Sequence, residues 1–126
     1  MIVLDASALV AFARHEPGAD RVVIAPDLTT ISAVNFGEAC RVLLRSGFDW
    51  PKTKASWTAQ GLRVEPLSLD DAERAAQIAA PLPRRYAISL ADCICVALAE
   101  RLNARVLKTD RQWRDLDVAV PIEIIR

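Results

Sequence analysis

The chain has 126 residues and a mass of 13.8 kDa, inside the roughly 100–200 residues of one domain, so a single core over residues 1–126 is expected and a second domain has no room. Hydrophobic residues make up 52% and charged residues 25%, and no stretch joins low hydrophobicity to high net charge, which excludes a disordered chain. Sixteen basic and sixteen acidic residues cancel, so whole-chain charge carries no nucleic-acid signal, and any RNA contact must come from local asymmetry.

Ile2, Val3 and Leu4 form a short apolar run bounded by Asp5, the pattern of a buried parallel strand. Ala6 to about Arg14 then reads as a helix stopped near Pro17 and Gly18, followed by a short helix around Ala19 to Ile24. Leu28 to about Ile31, rich in Thr and Ile, predicts a second strand. From about Val34 to Arg45 apolar residues recur at helical spacing, and Ser46-Gly47 supplies the stop. Lys52 to Gln60 predicts another helix, Arg63 to Pro66 a strand, and Leu69 to Ala79 a helix whose entry Asp70 and Asp71 favour electrostatically. Pro81 and Pro83 end it, and a loop bearing Arg84 and Arg85 leads to Ser89. Ser89 to about Leu102 is the strongest helical pattern, with Ile94, Leu98 and Leu102 on one stripe. Arg105 to Thr109 predicts a strand, Arg111 to Leu116 a short helix, and Ile122 to Ile125 a terminal strand. This alternation argues for an α/β domain whose mainly parallel sheet is covered on both faces, with ligands beyond the carboxyl ends of the strands.

Cys40, Cys93 and Cys95 sit in apolar helical patterns without the paired spacing of a zinc site, which reads as free buried thiols. Met1 to Asp5 meets an acid too soon for a signal peptide, and no apolar run reaches ~18 residues. A soluble protein of the reducing cytoplasm is expected.

Four acids stand where such a sheet presents ligands. Asp5 follows the first strand, and Asp110 follows the strand Arg105 to Lys108 with only Thr109 between. Glu38 and Asp92 lie in the first turns of two helices, where the dipole favours negative charge. Singly, each has an ordinary explanation: Asn35 with Glu38, and Ser89 with Asp92, stand at capping-box spacing, and Asp5 and Asp110 suit strand-end turns. Together they are costly, because unit charges ~4 Å apart repel by roughly 4 kcal/mol at an effective dielectric near 20. Magnesium or manganese would offset that cost, binding oxygen ligands and bridging carboxylates to phosphate oxygens. Such a site can drive phosphodiester hydrolysis without histidine or cysteine. A phosphatase with an aspartyl nucleophile would want a second Asp two residues after the first. Position 7 is Ser, which disfavours that chemistry.

The opening Met-Ile-Val-Leu-Asp5-Ala-Ser7-Ala-Leu resembles the start of PIN domains. Val34-Asn35-Phe36-Gly37-Glu38 resembles their second motif, Ser89-Leu90-Ala91-Asp92-Cys93 the third, and Val106-Leu107-Lys108-Thr109-Asp110-Arg111 the fourth. Across nearly the whole chain, the VapC branch of toxin–antitoxin ribonucleases is the nearest likeness. The resemblance implies an α/β/α sandwich with sheet order 3-2-1-4-5, placing the strands that end at Asp5 and Asp110 side by side. It further implies that Asp5, Asp92 and Asp110 hold the main metal and that Glu38 holds a second or orients the attacking water. Ser7 and Thr109 would be supporting hydroxyls, and Asp115 or Asp117 could join or replace Asp110. It also implies a magnesium- or manganese-dependent endoribonuclease, leaving 5′-phosphate and 3′-hydroxyl ends, that forms a homodimer and is restrained by an antitoxin protein.

Arg41, Arg45, Arg84, Arg85, Lys108, Arg111 and Arg114 flank the motifs and could form a backbone-binding rim, with Arg84 and Arg85 the best RNA candidates. The ordinary explanation is a solvated face or salt bridges. Phe48, Trp50 and Trp57 are expected to pack within the core rather than stack on bases. The alternative function is a nuclease-inactive PIN module that binds RNA or protein.

Overall fold

Three apolar residues ahead of an acid make the first strand: Ile2–Leu4 (β1) is buried, and Asp5 ends it by capping the helix Ala6–Ala13 (α1). The computed structural model describes all 126 residues. The chain continues through Thr29–Ser32 (β2), Ala33–Arg45 (α2), Trp50–Gln60 (α3), Arg63–Glu65 (β3), Leu69–Ala79 (α4), Leu90–Leu102 (α5), Arg105–Lys108 (β4) and Ile122–Ile124 (β5). Short helical turns at Arg84–Tyr86 and Arg111–Asp115 precede α5 and β5.

Two local expectations are corrected. The helix expected around Ala19 to Ile24 shrinks to a turn at Ala19–Arg21, and Val22 is already extended. Stiff β-branched side chains at Val22, Val23 and Ile24 lower the tendency to continue it. In α2 the N-cap is Ser32, whose hydroxyl accepts from the Asn35 N–H. Asn35 is thereby inside the first turn, with its side chain available to Glu38, and Glu38 falls in the second turn rather than the expected first.

All five strands run parallel in the order β3-β2-β1-β4-β5, the order that the family resemblance implies. Strand alternation sends Ile2, Leu4, Ile31 and Leu107 to one face, where they pack with Leu9 of α1, Leu43 of α2 and Trp57 of α3. Val3 and Val106 point to the other face, under Cys95, Leu98 and Ala99 of α5. Ala75 and Ile78 of α4 extend that second layer with Cys93, Ile94, Val96, Ala97 and Trp113. The result is an α/β/α sandwich. Burying a Leu or Ile side chain stabilises by about 1.5–3 kcal/mol, so the two layers hold the sheet from both sides. Phe36, Trp50 and Trp57 pack tilted or edge to face, with centroids 5.3–6.4 Å apart, and Trp57 and Trp113 are buried. These aromatics are therefore packing residues. No helix is long and apolar enough to cross a membrane.

The order matters for function because β1 lies between β2 and β4. From β1 the chain turns first toward β2, and it reaches the other flank only with β4. In sheets of this kind ligands bind at such a switch point, here the carboxyl ends of β1 and β4.

Candidate active site

The register pairs Leu4 with Leu107, and one step further sets Asp5 beside Lys108. The Asp5 N–H continues the ladder by donating to the Leu107 carbonyl at 3.0 Å. Alternation carries both side chains to the α5 face, where the first turn of α5 holds Asp92. Lys108 Nζ lies 3.6 Å from Asp5 Oδ1 and 3.6 Å from Asp92 Oδ1. It is only 1% exposed and has no hydrogen-bond acceptor. The sheet interior thus delivers a buried ammonium between two of the expected acids.

Each of three acids is anchored by one oxygen. Asp5 Oδ2 accepts from the Ser7 N–H at 3.1 Å and from the Ser7 hydroxyl. That hydroxyl in turn accepts from the Thr109 N–H at 3.1 Å, tying the end of β1 to the end of β4. Thr109 contributes here through its backbone. Asp92 Oδ2 accepts from the Ser89 N–H at 2.9 Å while the Ser89 hydroxyl accepts from the Asp92 N–H, completing the capping box. Glu38 Oε2 accepts from the Asn35 amide at 3.3 Å. Anchoring of this kind fixes the side chains and leaves the other oxygens for a ligand.

Asn35, read from the sequence as an N-cap, instead holds Glu38 in place. Fully buried, it takes a hydrogen bond from the Ser32 hydroxyl at 2.7 Å and donates to both Glu38 and the Ala91 carbonyl, the latter at 3.2 Å. It therefore couples Glu38 on α2 to the residue preceding Asp92 on α5. The available signal was position 32: a Ser three residues before Asn35 competes for the cap and frees the amide.

Lys108 was also missed, having been grouped with the basic rim. Its signal was the strand itself, since a lysine that alternates with Val106 in a sheet covered on both faces must be buried. Nζ also lies 4.2 Å from the centroid of the buried Trp113 ring, a cation–π interaction that offsets part of the cost of desolvation.

The charges feel one another. Burial raises the Glu38 carboxyl above its ordinary range; the Asn35 hydrogen bond opposes this, while the charges of Asp5 and Asp92 add to it and Arg41 opposes. Cys93 is pushed up to about 11, chiefly by burial and further by Asp92, with Lys108 opposing. Cys95 is raised still more clearly by burial. Both are buried free thiols, so neither is a poised nucleophile.

Asp110 is placed differently. It caps the turn Arg111–Asp115 and accepts from the Gln112 N–H at 3.0 Å and, more weakly, from the Gln112 side chain. Asp115 ends that turn, exposed. Asp117 lines a cleft with Arg74 and Glu100, beside the opposite end of α5 from Asp92. The structure therefore brings Asp5 and Asp92 to Lys108 and leaves Glu38 near enough to feel the charges of both acids, while the contacts of Asp110 are confined to its own turn. No three acids, histidines or cysteines form a ready-made cage for an ion. The donor chemistry nevertheless fits a hard divalent cation, because the free oxygens of Asp5, Asp92 and Glu38 are all carboxylate oxygens.

The cation distribution is uneven. Of the thirteen arginines in the chain, seven pair with carboxylates: Arg14, Arg21, Arg63, Arg74, Arg101, Arg105 and Arg126. The six that pair with none are Arg41, Arg45, Arg84, Arg85, Arg111 and Arg114, all on the segments that carry or flank Glu38, Asp92 and Asp110. They are exposed, and Arg85 stacks on the Tyr86 ring at 4.8 Å. The acids lie at the carboxyl ends of β1 and β4 and the starts of the flanking helices, and a cleft lined by Phe12, Phe48 and Trp57 between α1 and α3 contains none of them.

A family model described as "PIN domain" matches residues 2–119. No curated protein matches the chain. Among solved structures, a toxin–antitoxin complex from Klebsiella pneumoniae superposes with TM-score 0.73 at 17% identity, covering 92% of each chain. VapC20 of Mycobacterium tuberculosis, described as a sarcin–ricin loop cleaving toxin, gives 0.72 at 20% identity, covering 94% of this chain and 97% of that one. VapBC2 of Rickettsia felis, bound to a promoter DNA fragment, gives 0.67 at 14% identity over 100% of both. At these identities the likeness is one of fold.

Proposed function

Because this chain belongs to the PIN-domain family, we propose that it is a magnesium- or manganese-dependent endoribonuclease of the VapC type, a single PIN domain acting in the cytoplasm as the toxin of a toxin–antitoxin pair. The observation that carries this reading is the trio Asp5, Glu38 and Asp92, each fixed by hydrogen bonds at one oxygen and with none at the other, where Lys108 faces Asp5 and Asp92, flanked by arginines without acidic partners. Asp5, Asp92 and Asp110 would hold the ion, with Glu38 holding a second or orienting water. When bound, the ion supplies a nucleophilic water at neutral pH and neutralises charge on the leaving oxygen.

The protein's own residues do the rest. Ser7 aims Asp5, with the Thr109 N–H bracing Ser7, and Asn35 aims Glu38. Arg84 and Arg85 lie exposed on the turn that leads into α5 and would take phosphates of the substrate. The lack of large exposed aromatics favours recognition of RNA shape over base stacking. Structured loops are therefore the proposed substrate class, and VapC20 is itself described as cleaving one such loop. Partners would be a second copy of this chain and a cognate antitoxin protein.

A second reading, a nuclease-inactive PIN module that binds RNA or protein, is favoured by one observation: Lys108 lies where an ion would contact Asp5 and Asp92. RNA cleavage by the purified chain with added manganese, compared with Asp5→Asn, Glu38→Gln and Asp92→Asn, separates the two. Cleavage lost in all three supports the nuclease, whereas no cleavage by the native chain over a panel of structured RNAs supports the binding module. Should Asp110→Asn remain fully active, Asp110 leaves the proposed site.

A further inference from the structure

We propose that Lys108 is a resident cation of the carboxylate site, holding Asp5 and Asp92 together in the metal-free protein and leaving that position when a divalent ion binds. The inference rests on the metal-dependent reading above and deepens it by assigning a competitor built into the chain.

The oxygens that face Lys108 are Asp5 Oδ1 and Asp92 Oδ1, the two that Ser7 and Ser89 leave free. An ammonium and a hard divalent ion seek the same atoms. At 3.6 Å neither approach is a hydrogen bond, so three N–H donors are buried without acceptors. Charge and the face of Trp113 hold the group, rather than directional bonds that would lock it. Its flexible four-carbon stem allows it to withdraw. The arrangement also accounts for acids gathered at a site with no ready-made ion cage: one positive charge is already supplied between two of them.

A divalent ion about 4 Å from a fixed ammonium would be weakened about thirtyfold even at the dielectric of water. Neutralising Lys108 should therefore tighten metal binding by about tenfold or more, after allowing for partial withdrawal of the side chain.

The test is calorimetric titration of the purified full chain with manganese, comparing wild type with Lys108→Met and Lys108→Gln, two neutral variants that differ in how they pack against Trp113. Tighter binding in a folded variant supports the proposal. Equal or weaker binding in the variants, with wild type binding, overturns it and leaves the metal-dependent reading intact. Binding by the variants alone supports it and removes that reading from the native chain. Binding by neither overturns both. Should neither variant fold, lysine-selective nitrogen NMR of wild type decides, with Lys52 and Lys54 as exposed references. Saturating magnesium should shift the Lys108 ammonium resonance while the other two stay, and an unmoved Lys108 resonance overturns the proposal.

Discussion

Asp5 acts through two oxygens, and the variants Asp5→Asn and Asp5→Ala separate the two jobs. Oδ2 caps α1 by accepting from the Ser7 N–H, and Asn is as good a cap as Asp whereas Ala loses about 1 kcal/mol. Oδ1 faces Lys108, and a buried charge that loses one of two partners costs about 1–2 kcal/mol. Relief of repulsion toward Glu38 offsets a part of that. In metal-free buffer Asp5→Asn should therefore lose about 1 kcal/mol and Asp5→Ala about 2 kcal/mol. For a domain of this size the melting temperature falls by roughly 3–5 °C per kcal/mol, so the drops should be about 3–5 °C and 6–10 °C. Thermal melts with chelator, run beside RNA cleavage with manganese, measure both jobs at once. Both variants should be inactive despite the stability gap. Equal melting temperatures would refute the capping argument, and cleavage by Asp5→Asn at the wild-type rate would remove the carboxylate from the reaction.

Three further outcomes follow from the same geometry. The folded-state carboxyl of Glu38 is raised, so the folded form binds that proton more tightly than the unfolded chain, and stability falls as pH rises through the interval between the two values. Glu38→Gln should remove this slope and, above the interval, stabilise the metal-free protein by about half a kcal/mol or less, since the group is partly exposed and screened; urea midpoints measured across the acid range check it. Asn35→Ala strands the Ser32 hydroxyl and the Ala91 carbonyl and should cost about 2–3 kcal/mol, with slower RNA cleavage because Glu38 loses its anchor; an unchanged denaturation midpoint would contradict the hydrogen-bond assignment. Replacing Arg84 and Arg85 together by Ala should leave the circular dichroism unchanged, weaken RNA binding across sequences, and reduce the slope of log affinity against log salt by about 0.7 for each phosphate no longer neutralised. A slope equal to wild type would place RNA elsewhere.

Much of the fold was legible because its signals are local. An apolar triplet before Asp5, Ser46-Gly47 after an amphipathic run, and Ser89 three residues before Asp92 each act within a few residues, and the elements they delimit formed close to their expected bounds. The acids at the carboxyl ends of β1 and β4 followed from the same reading. Asn35 and Lys108 were not legible in the same way, because their roles depend on what lies across the fold. Asn35 matters through the Ala91 carbonyl on another helix, and Lys108 through two carboxylates that only the sheet register brings near. A charged residue beside basic neighbours reads as surface in one dimension. The sorting of arginines into paired and unpaired groups was hidden for the same reason, since a net charge of zero averages over positions that the fold separates.

The central place of β1 sets the order in which this protein can become competent. Ile2 pairs with Thr29 on one side and with Arg105 on the other, so the first strand to leave the ribosome has one flank uncovered until the last quarter of the chain arrives. Pairings so distant in sequence form late, because the entropy of closing the intervening loop must be met first. Until β4 docks, the Thr109 N–H cannot brace Ser7, and Asp5 has no Lys108 beside it. A chain truncated before β4 thus has no assembled carboxylate site, because the Ser7 brace and the Lys108 charge both come from β4 and the residue after it.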